Sequence, residues 1–312
     1  MMSIDRFLKQ LVLCTVVCPL ILICGCLHVA YVLPMLFDPV GKSGDLVRSY
    51  GVSFAQLAAP FDGPEDYNEN VLYRGEGSLG GLAFGETSEG LRLYVASGEG
   101  LQIHDGFVIN RLLATVVVPN CRLMGDVVVL DIGSIIVSCS DQAGLLKIDP
   151  DALSIEETFS CCEGVEEPFH PVAIALAPDG SILAGTTDIN LFDSESGAFI
   201  GVAVEAGVLG ATSYDDFVWS SDGRLFVSAN PDIGILVFDG STFEFIELFI
   251  PGGDEGAPFP KALAFDEDGA LFVGSAQGNR LRKFDGQTGD LITEVIPNDD
   301  PHSVLSFMAF RP

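Results

Sequence analysis

The chain has 312 residues, enough for one large domain, and carries 44 acidic against 15 basic side chains, a formal net charge of −29. Such a surface repels nucleic acid and anionic lipid, which excludes both as ligands of the folded part. The charge favours solubility, cationic partners and divalent ions.

The first predicted element is hydrophobic. Residues 11–37 contain no Asp, Glu, Lys or Arg, a stretch long enough to span a bilayer, and Arg6 and Lys9 precede it. We predict a short cytoplasmic segment (1–10), a helical signal or anchor (11–37) and a tether (38–44). A cleaved signal peptide is the alternative, and "ICGC" offers Cys26 as a lipid acceptor. Each of these places the rest of the chain outside the cytoplasm, tethered to the membrane or secreted.

A repeat begins after the tether. Five strand-like runs end in an aspartate, at spacings of 44, 44, 46 and 46 residues. These aspartates are Asp105, Asp149, Asp193, Asp239 and Asp285. Each is preceded by an apolar run such as "GLAF" or "ALAF". Short apolar runs between Gly and Asp turns indicate strands, and four of them per ~45 residues are typical of a β-propeller blade. We predict that the aspartates accept backbone N–H groups in the turns.

The ends of the repeat region complement one another. The C-terminal "SFMAFRP" resembles the first strand of a blade, and the runs after residue 44 resemble the second to fourth strands. We therefore predict an all-β, six-bladed propeller of four-stranded antiparallel blades over residues 45–312. The C-terminal strand would join the N-terminal strands and close the ring, which removes exposed sheet edges. Trp219 lies in a first strand, and we expect it to pack between blades.

Four cysteines fall within the second repeat: Cys121, Cys139, Cys161 and Cys162. In an exported protein this clustering predicts a local disulfide, of Cys121 with Cys161 or with Cys162. Four unpaired thiols are the alternative.

Two segments carry a resemblance to a known family. The stretches "ALAFDEDGALFVGSAQGNRLRKFDGQTGDLI" and "IALAPDGSILAGTTDINLFDSESGAFI" resemble NHL-type six-bladed propellers and, more loosely, regucalcin and gluconolactonase-like propellers. The resemblance covers about residues 45–312. It implies a functional site at the channel mouth, on the loops that enter the first strand and join the second to the third.

Those loops are acidic, with one lysine as the main exception. Their candidate binding residues are Glu99, Asp126, Asp141, Asp188, Asp215, Asp232, Lys261 and Asn279. Carboxylate and amide oxygens suit Ca²⁺, which makes calcium the candidate cofactor. Solvated loop carboxylates without a ligand are the alternative.

Catalytic relatives of this shape imply other ligands. The lactonase-like propellers hold one divalent cation, but their Pro-Asn-Gly motif has no match in this chain. Peptide-amidating lyases of similar shape hold zinc on histidines placed before first strands, which makes His170 and His302 candidate metal ligands. No catalytic residue can be assigned from these patterns.

The sequence thus predicts an exported, membrane-tethered binding module, monomeric, with an acidic channel mouth for a protein or small-molecule ligand. A divalent-metal-dependent, lactonase-like hydrolase or lyase is the first alternative. A structural surface protein without catalysis is the second.

Overall fold

The computed structural model describes most of the chain after residue 45. The described ranges are 46–50, 53–57, 69–74, 79–107, 111–119, 121, 124–130, 133–139, 144–160, 169–185, 187–277, 280–296 and 305–311. The chain divides into two units, Met1–Val40 and Gly41–Pro312, and the description that follows concerns the second. The predicted segments 1–10, 11–37 and 38–44 lie outside the described residues. Within the described ranges, no helix has the length and apolarity needed to cross a membrane.

Twenty consecutive strands form five four-stranded antiparallel blades. Blade 1 contains β4 (Leu79–Thr87), β5 (Gly90–Ser97), β6 (Gly100–Asp105) and β7 (Leu112–Val116). Blade 2 contains β8 (Met124–Val129), β9 (Ile135–Cys139), β10 (Gly144–Asp149) and β11 (Ser154–Ser160). Blade 3 contains β12 (Ala173–Leu176), β13 (Ile182–Gly185), β14 (Ile189–Phe192) and β15 (Phe199–Val204). Blade 4 contains β16 (Ser213–Trp219), β17 (Arg224–Asn230), β18 (Gly234–Asp239) and β19 (Phe245–Pro251), after a short 3₁₀ turn (Val208–Gly210). Blade 5 contains β20 (Pro260–Phe265), β21 (Ala270–Ser275), β22 (Leu281–Asp285) and β23 (Leu291–Ile296).

A further four-stranded sheet joins the two ends of the unit, and we call it the closing sheet. It contains β24 (Leu305–Phe310), β1 (Leu46–Tyr50), β2 (Ser53–Leu57) and β3 (Glu69–Arg74), in that order. The pairing of β24 with β1 places Phe310 opposite Leu46. The C-terminal strand therefore joins the N-terminal strands, as the sequence predicts.

The first strands surround a central channel. Each of β4, β8, β12, β16 and β20 contacts the first strand of the next blade, and β24 contacts both β20 and β4. Strand direction alternates within a blade, so the loops entering first strands and the loops joining second to third strands lie at the same end. We call this end the mouth.

Second strands form the core because both of their faces are covered by neighbouring blades. All five residues of β9, from Ile135 to Cys139, are buried, as are all six of β21. These strands are consequently apolar runs rather than alternating patterns. The fourth strands lie at the rim, where Phe245 and Ile246 of β19 stay about half exposed.

The turns after the third strands confirm the predicted role of the repeated aspartates. Oδ1 of Asp239 accepts the N–H groups of Ser241 and Thr242 at 2.9 and 2.8 Å. The same pair of hydrogen bonds recurs at Asp149, Asp193 and Asp285, and Asp105 accepts one such bond. The spacing of these residues is therefore a consequence of turn architecture.

The disulfide differs from the predicted pairing. Cys121 is bonded to Cys139, with 5.8 Å between their Cα atoms. Strand order explains this pairing. Cys139 of β9 lies opposite Met124 of the adjacent strand β8, and Cys121 precedes Met124 by only three residues. Cys161 and Cys162 follow β11, the strand of this blade farthest from β8, and lie outside the described residues. The predicted bond of Cys121 to either of them is wrong.

Candidate functional site

The central channel contains a cavity of about 410 Å³. Residues from the first strands of all five blades and from β24 line it, and most are apolar, including Leu82, Phe84, Val128, Leu176, Val218 and Met308. Two carboxyl groups interrupt this apolar wall, those of Asp126 and Asp216. A volume in this range with few polar groups is usual for small-molecule sites.

Asp126 lies in a bulge of β8 and joins blade 2 to blade 3. Its side chain is buried, its Oδ1 accepts the N–H of Val127 at 2.8 Å, and its Oδ2 accepts the N–H of Ile174 on β12 at 3.0 Å. Ser138 Oγ accepts the N–H of Asp126 itself at 2.7 Å. A Cβ on Gly81 of blade 1 would collide with this carboxylate, so glycine is needed there to make room.

Asp216 repeats this arrangement between blades 4 and 5. It lies in a bulge of β16 and accepts the N–H of Phe217 at 2.8 Å and that of Leu263, on β20, at 2.7 Å. Ser228 Oγ accepts the N–H of Asp216 at 2.8 Å. We call Asp126 and Asp216 the channel aspartates.

Burial changes the proton affinity of both groups. It raises the pKa of Asp126 to about 7, against the opposing effect of the two N–H groups that the carboxylate accepts. Burial also raises the pKa of Asp216 well above its usual value, and the negative charge of Asp126 raises it further. The positive charge of Lys261 lowers the pKa of Asp216 and so opposes these two effects. The channel aspartates are therefore close enough to interact, and burial favours the protonated form of both.

Lys261 and Asp215 form an ion pair at the mouth. Lys261 Nζ lies 3.3 Å from Asp215 Oδ2, and each side chain is about one-fifth exposed. Asp215 directly precedes Asp216, and Lys261 lies two residues before Leu263. The pair therefore connects the same two strands, β16 and β20, as the Asp216 carboxylate does.

The other described candidates from the mouth loops are engaged in local structure. Asp188 Oδ1 accepts the N–H of Ala206 at 2.7 Å. Asp232 Oδ1 accepts the N–H groups of Gly253 and Phe259 at 3.0 and 2.9 Å. Each carboxylate thus fixes the segment that leads to the next blade.

The remaining candidates divide between exposed and undescribed positions. Glu99 is exposed, and its N–H contacts Ser97 Oγ at 3.3 Å. His170 is exposed just before β12. Asp141, Asn279, His302 and Cys26 lie outside the described residues.

Calcium, the cofactor predicted from the acidic loops, requires a cluster of oxygen ligands. Among the described residues, no three His, Cys, Asp or Glu side chains are grouped so that they could hold a metal ion. Both oxygens of each channel aspartate already accept a backbone N–H, and the other residues that line the cavity have no side-chain oxygen. Calcium takes six to eight oxygen ligands, so these residues do not fit it.

Asp216 is the functional candidate that the sequence analysis missed. Its signal is visible in "DDFVW", where an aspartate directly precedes the apolar run of a first strand, as Asp126 does in "GDVVV". The two residues are 90 positions apart, which is two repeats.

Trp219 packs against the apolar cluster shared by blades 3 and 4, as predicted, and it also lines the cavity. It is the only tryptophan in the sequence. Its emission therefore reports on the surroundings of this one side chain, which include the channel cavity.

Comparison with known proteins supports the fold. No family model matches the sequence, and no curated protein matches it. A crystal structure of the nidogen/laminin complex is similar with a TM-score of 0.66 at 10% identity, covering 86% of this chain and 98% of that chain. A protein of unknown function from Bacteroides caccae gives 0.63 at 14% identity, covering 87% of this chain and 100% of that one. Virginiamycin B lyase from Staphylococcus aureus gives 0.54 at 16% identity, covering 72% and 73%.

These similarities establish an all-β propeller of four-stranded antiparallel blades. Identities of this size show the fold alone, because propellers support many unrelated activities. A lyase and a protein of a binding complex both occur among the similar structures. The function must therefore be argued from the channel.

Proposed function

We propose that this protein is a binding module that takes a small ligand into its central channel, where the channel aspartates engage it. The observation that carries the proposal is the cavity of about 410 Å³, lined mainly by apolar residues, with two buried carboxyl groups in its wall. Apolar walls supply affinity for the body of a ligand, and a few polar groups fix its orientation.

The architecture behind this proposal is a closed wheel of NHL type in which the closing sheet acts as the sixth blade. Support comes from the pairing of β24 with β1 and from the contacts of β24 with its neighbours on both sides. A closed wheel holds the first strands at fixed positions, and thereby keeps Asp126 and Asp216 facing one channel.

Fluorescence of Trp219 tests the proposal. We expect benzylammonium to shift or quench the emission in a saturable way, and Asp126→Asn and Asp216→Asn to weaken that response. Benzyl alcohol and benzoate, neutral and anionic probes of similar shape, serve as controls. An emission that none of the three probes changes would contradict binding in the channel.

We further propose that residues 11–37 direct the protein out of the cytoplasm and tether it to the membrane. The support is the uncharged length of this segment and the basic residues before it. Cell fractionation followed by protease treatment of intact cells tests this: the propeller should be membrane-associated and accessible from outside. Cys26→Ala distinguishes lipid attachment, because it would release a lipoprotein but not a protein held by a membrane span.

Catalysis in the same channel is a second candidate, favoured by the raised pKa of Asp126. A carboxyl group with a pKa of about 7 is suited to proton transfer near neutral pH. A lactone substrate would then be opened, and Asp126→Asn would abolish that turnover. Saturable binding without turnover of such substrates would leave the binding module as the function.

A further inference from the structure

We propose that blade 5 binds a small monovalent anion, such as chloride, in a cavity beside Arg280 and Arg282 at the mouth end of the propeller. The site is separate from the central channel, and the inference does not rest on the function proposed for the channel. Three features of the described residues support it: a small cavity, two largely buried guanidinium groups in its wall, and a single carboxylate shared between them.

The cavity lies between blade 5 and the segment that leads into it from blade 4. Its volume is about 10 Å³, which is room for one water-sized occupant. Val273 and Phe284 give its wall an apolar side, Arg280 and Arg282 give it a charged side, and segment 252–259 covers it. A halide ion is close to water in size, so the cavity suits a monatomic anion better than a larger one.

Both guanidinium groups reach the covering segment. Arg282 Nη1 donates a hydrogen bond to the carbonyl oxygen of Gly256. Arg280 Nη1 lies 3.7 Å from Asp254 Oδ1 on the same segment. The charged ends of the two side chains are therefore held next to the part of the chain that closes the cavity.

The two arginines share one carboxylate. Glu294 Oε1 lies 3.0 Å from Arg280 Nε and 3.5 Å from Arg282 Nε. The side chains of Arg280 and Arg282 are only 16% and 11% exposed, whereas that of Asp254 is 95% exposed, so water screens its charge and it offsets little. The cluster therefore contains an excess of one positive charge, which is costly to bury without a partner.

The guanidinium groups also have many more hydrogen-bond donors than acceptors. Each carries five N–H donors. Neither Nε directs its N–H at an acceptor among the described residues, so the contacts with Glu294 are ion pairs without a hydrogen bond. Within the same residues, the bond from Arg282 to Gly256 is the only hydrogen bond that either group makes. A bound anion would accept several of the other donors and supply the missing negative charge.

The propeller fold does not require a charge at position 282. This position lies three residues before the turn aspartate of its blade, and the other four blades have buried, uncharged residues there: Gln102, Leu146, Asn190 and Leu236. The arginine is therefore particular to blade 5, which favours a local ligand over a role in the architecture.

Two substitutions change the excess charge in opposite directions. Arg282→Met leaves Arg280 and Glu294 as a neutral pair, and Glu294→Gln leaves two positive charges without their carboxylate. The control is Arg224→Met, which removes an arginine of similar exposure (20%) from the opposite end of blade 4. The full-length chain in detergent is unfolded with urea in sodium chloride and in sodium methanesulfonate, at equal ionic strength.

The expected result is a stabilisation that is specific to chloride and saturable, because chloride binds to the folded state alone. Methanesulfonate, whose sulfonate group is larger than the cavity, should not stabilise the protein in this way. Arg282→Met should raise the half-saturating chloride concentration by about tenfold, Glu294→Gln should lower it, and Arg224→Met should leave it unchanged. Circular dichroism verifies that each variant is folded.

Bromide locates the site without any variant. Crystals of the wild-type chain grown in bromide should show anomalous signal between Arg280 and Arg282, and its absence at saturating bromide would overturn the inference. Equal stabilisation by chloride and methanesulfonate would overturn it as well. An unchanged chloride dependence in both charge variants would place the anion elsewhere on the protein and refute this site. All of these results are independent of whether the central channel binds a ligand.

Discussion

The junction between blades 2 and 3 and the junction between blades 4 and 5 are built on the same carboxylate but reinforced differently. In both, a buried aspartate in a bulge accepts its neighbour's N–H and an N–H of the next first strand. In both, a serine of the second strand accepts the aspartate's own N–H. The backbone geometry of the bulge therefore defines the arrangement.

The surroundings of the two aspartates differ at two positions. Gly125 precedes Asp126, and a Cβ there would lie 2.5 Å from the carbonyl oxygen of Val172. Asp215 precedes Asp216 and reaches Lys261 instead. On the second strand, blade 2 has Cys139 where blade 4 has Ala229. One junction thus has a disulfide and close backbone packing beside it, and the other has an ion pair. The same buried aspartate is therefore compatible with either kind of additional contact.

The largest expected effect of the channel aspartates is a dependence of the free energy of unfolding on pH. The pKa of Asp126 is about 7 in the folded protein, against an ordinary value of 3.8. Because the folded state binds this proton more tightly, the stabilisation is fully present below the lower value and is lost as the pH rises through the higher one. We expect the free energy of unfolding to fall on the order of 4 kcal/mol from about pH 4 to about pH 8.

Urea denaturation at several pH values measures this dependence. Asp126→Asn keeps an acceptor oxygen but cannot ionise, so its unfolding free energy should vary less between about pH 5 and about pH 8, with the remaining dependence due to Asp216. Asp216→Asn removes the neighbouring acid and reports on the coupling between the channel aspartates. A flat profile in the wild type would show that neither carboxyl is perturbed as described.

The second prediction concerns the disulfide, which among the described residues occurs in blade 2 alone. The bond closes a loop with a sequence separation of 18 residues. Loop closure of this length stabilises the folded state by about 3 kcal/mol. The double variant Cys121→Ala/Cys139→Ala should lose that amount in urea denaturation, and a reductant should destabilise the wild type but not the variant. Equal sensitivity of both proteins to reductant would contradict the bond.

The third prediction compares the two aspartates directly. Asp126→Ala and Asp216→Ala each leave two buried N–H groups without their acceptor, which costs about 2 kcal/mol. We expect the larger loss for Asp126→Ala, because the Lys261–Asp215 pair still joins blades 4 and 5 in the other variant. Measurement at about pH 3, below the ordinary aspartate pKa, keeps both carboxyl groups largely protonated in the folded and unfolded states and so keeps ionisation out of the comparison. A larger loss for Asp216→Ala would show that the ion pair does not reinforce its junction.

The sequence predicted the blades because their signals are local. A turn such as that at Asp239 needs only a carboxylate and the next two N–H groups, so it recurs wherever a third strand ends. The length of the repeat, the four strands of each blade and the pairing of the C-terminal strand with the N-terminal strands can all be predicted from such repeated units.

The site was predicted less well because it depends on distant contacts. Asp188 and Asp232 look like solvated loop acids in the sequence, but each accepts N–H groups of a segment about twenty residues away. The burial of Asp216 requires a bulge and a neighbouring blade, neither of which a single repeat specifies. The partner of Cys121 likewise depends on strand order within the blade.

The smallest effect should come from the ion pair itself. The Lys261 and Asp215 side chains are each about one-fifth exposed, and such pairs contribute about 1 kcal/mol or less to stability. Lys261→Met should therefore change the urea midpoint little, and less at about 1 M salt because salt screens the interaction. Lys283→Met is the matched control at the other end of the blade. If the Lys261 variant lost as much stability as Asp126→Ala, the ion pair rather than the carboxylate would be the principal connection between blades 4 and 5.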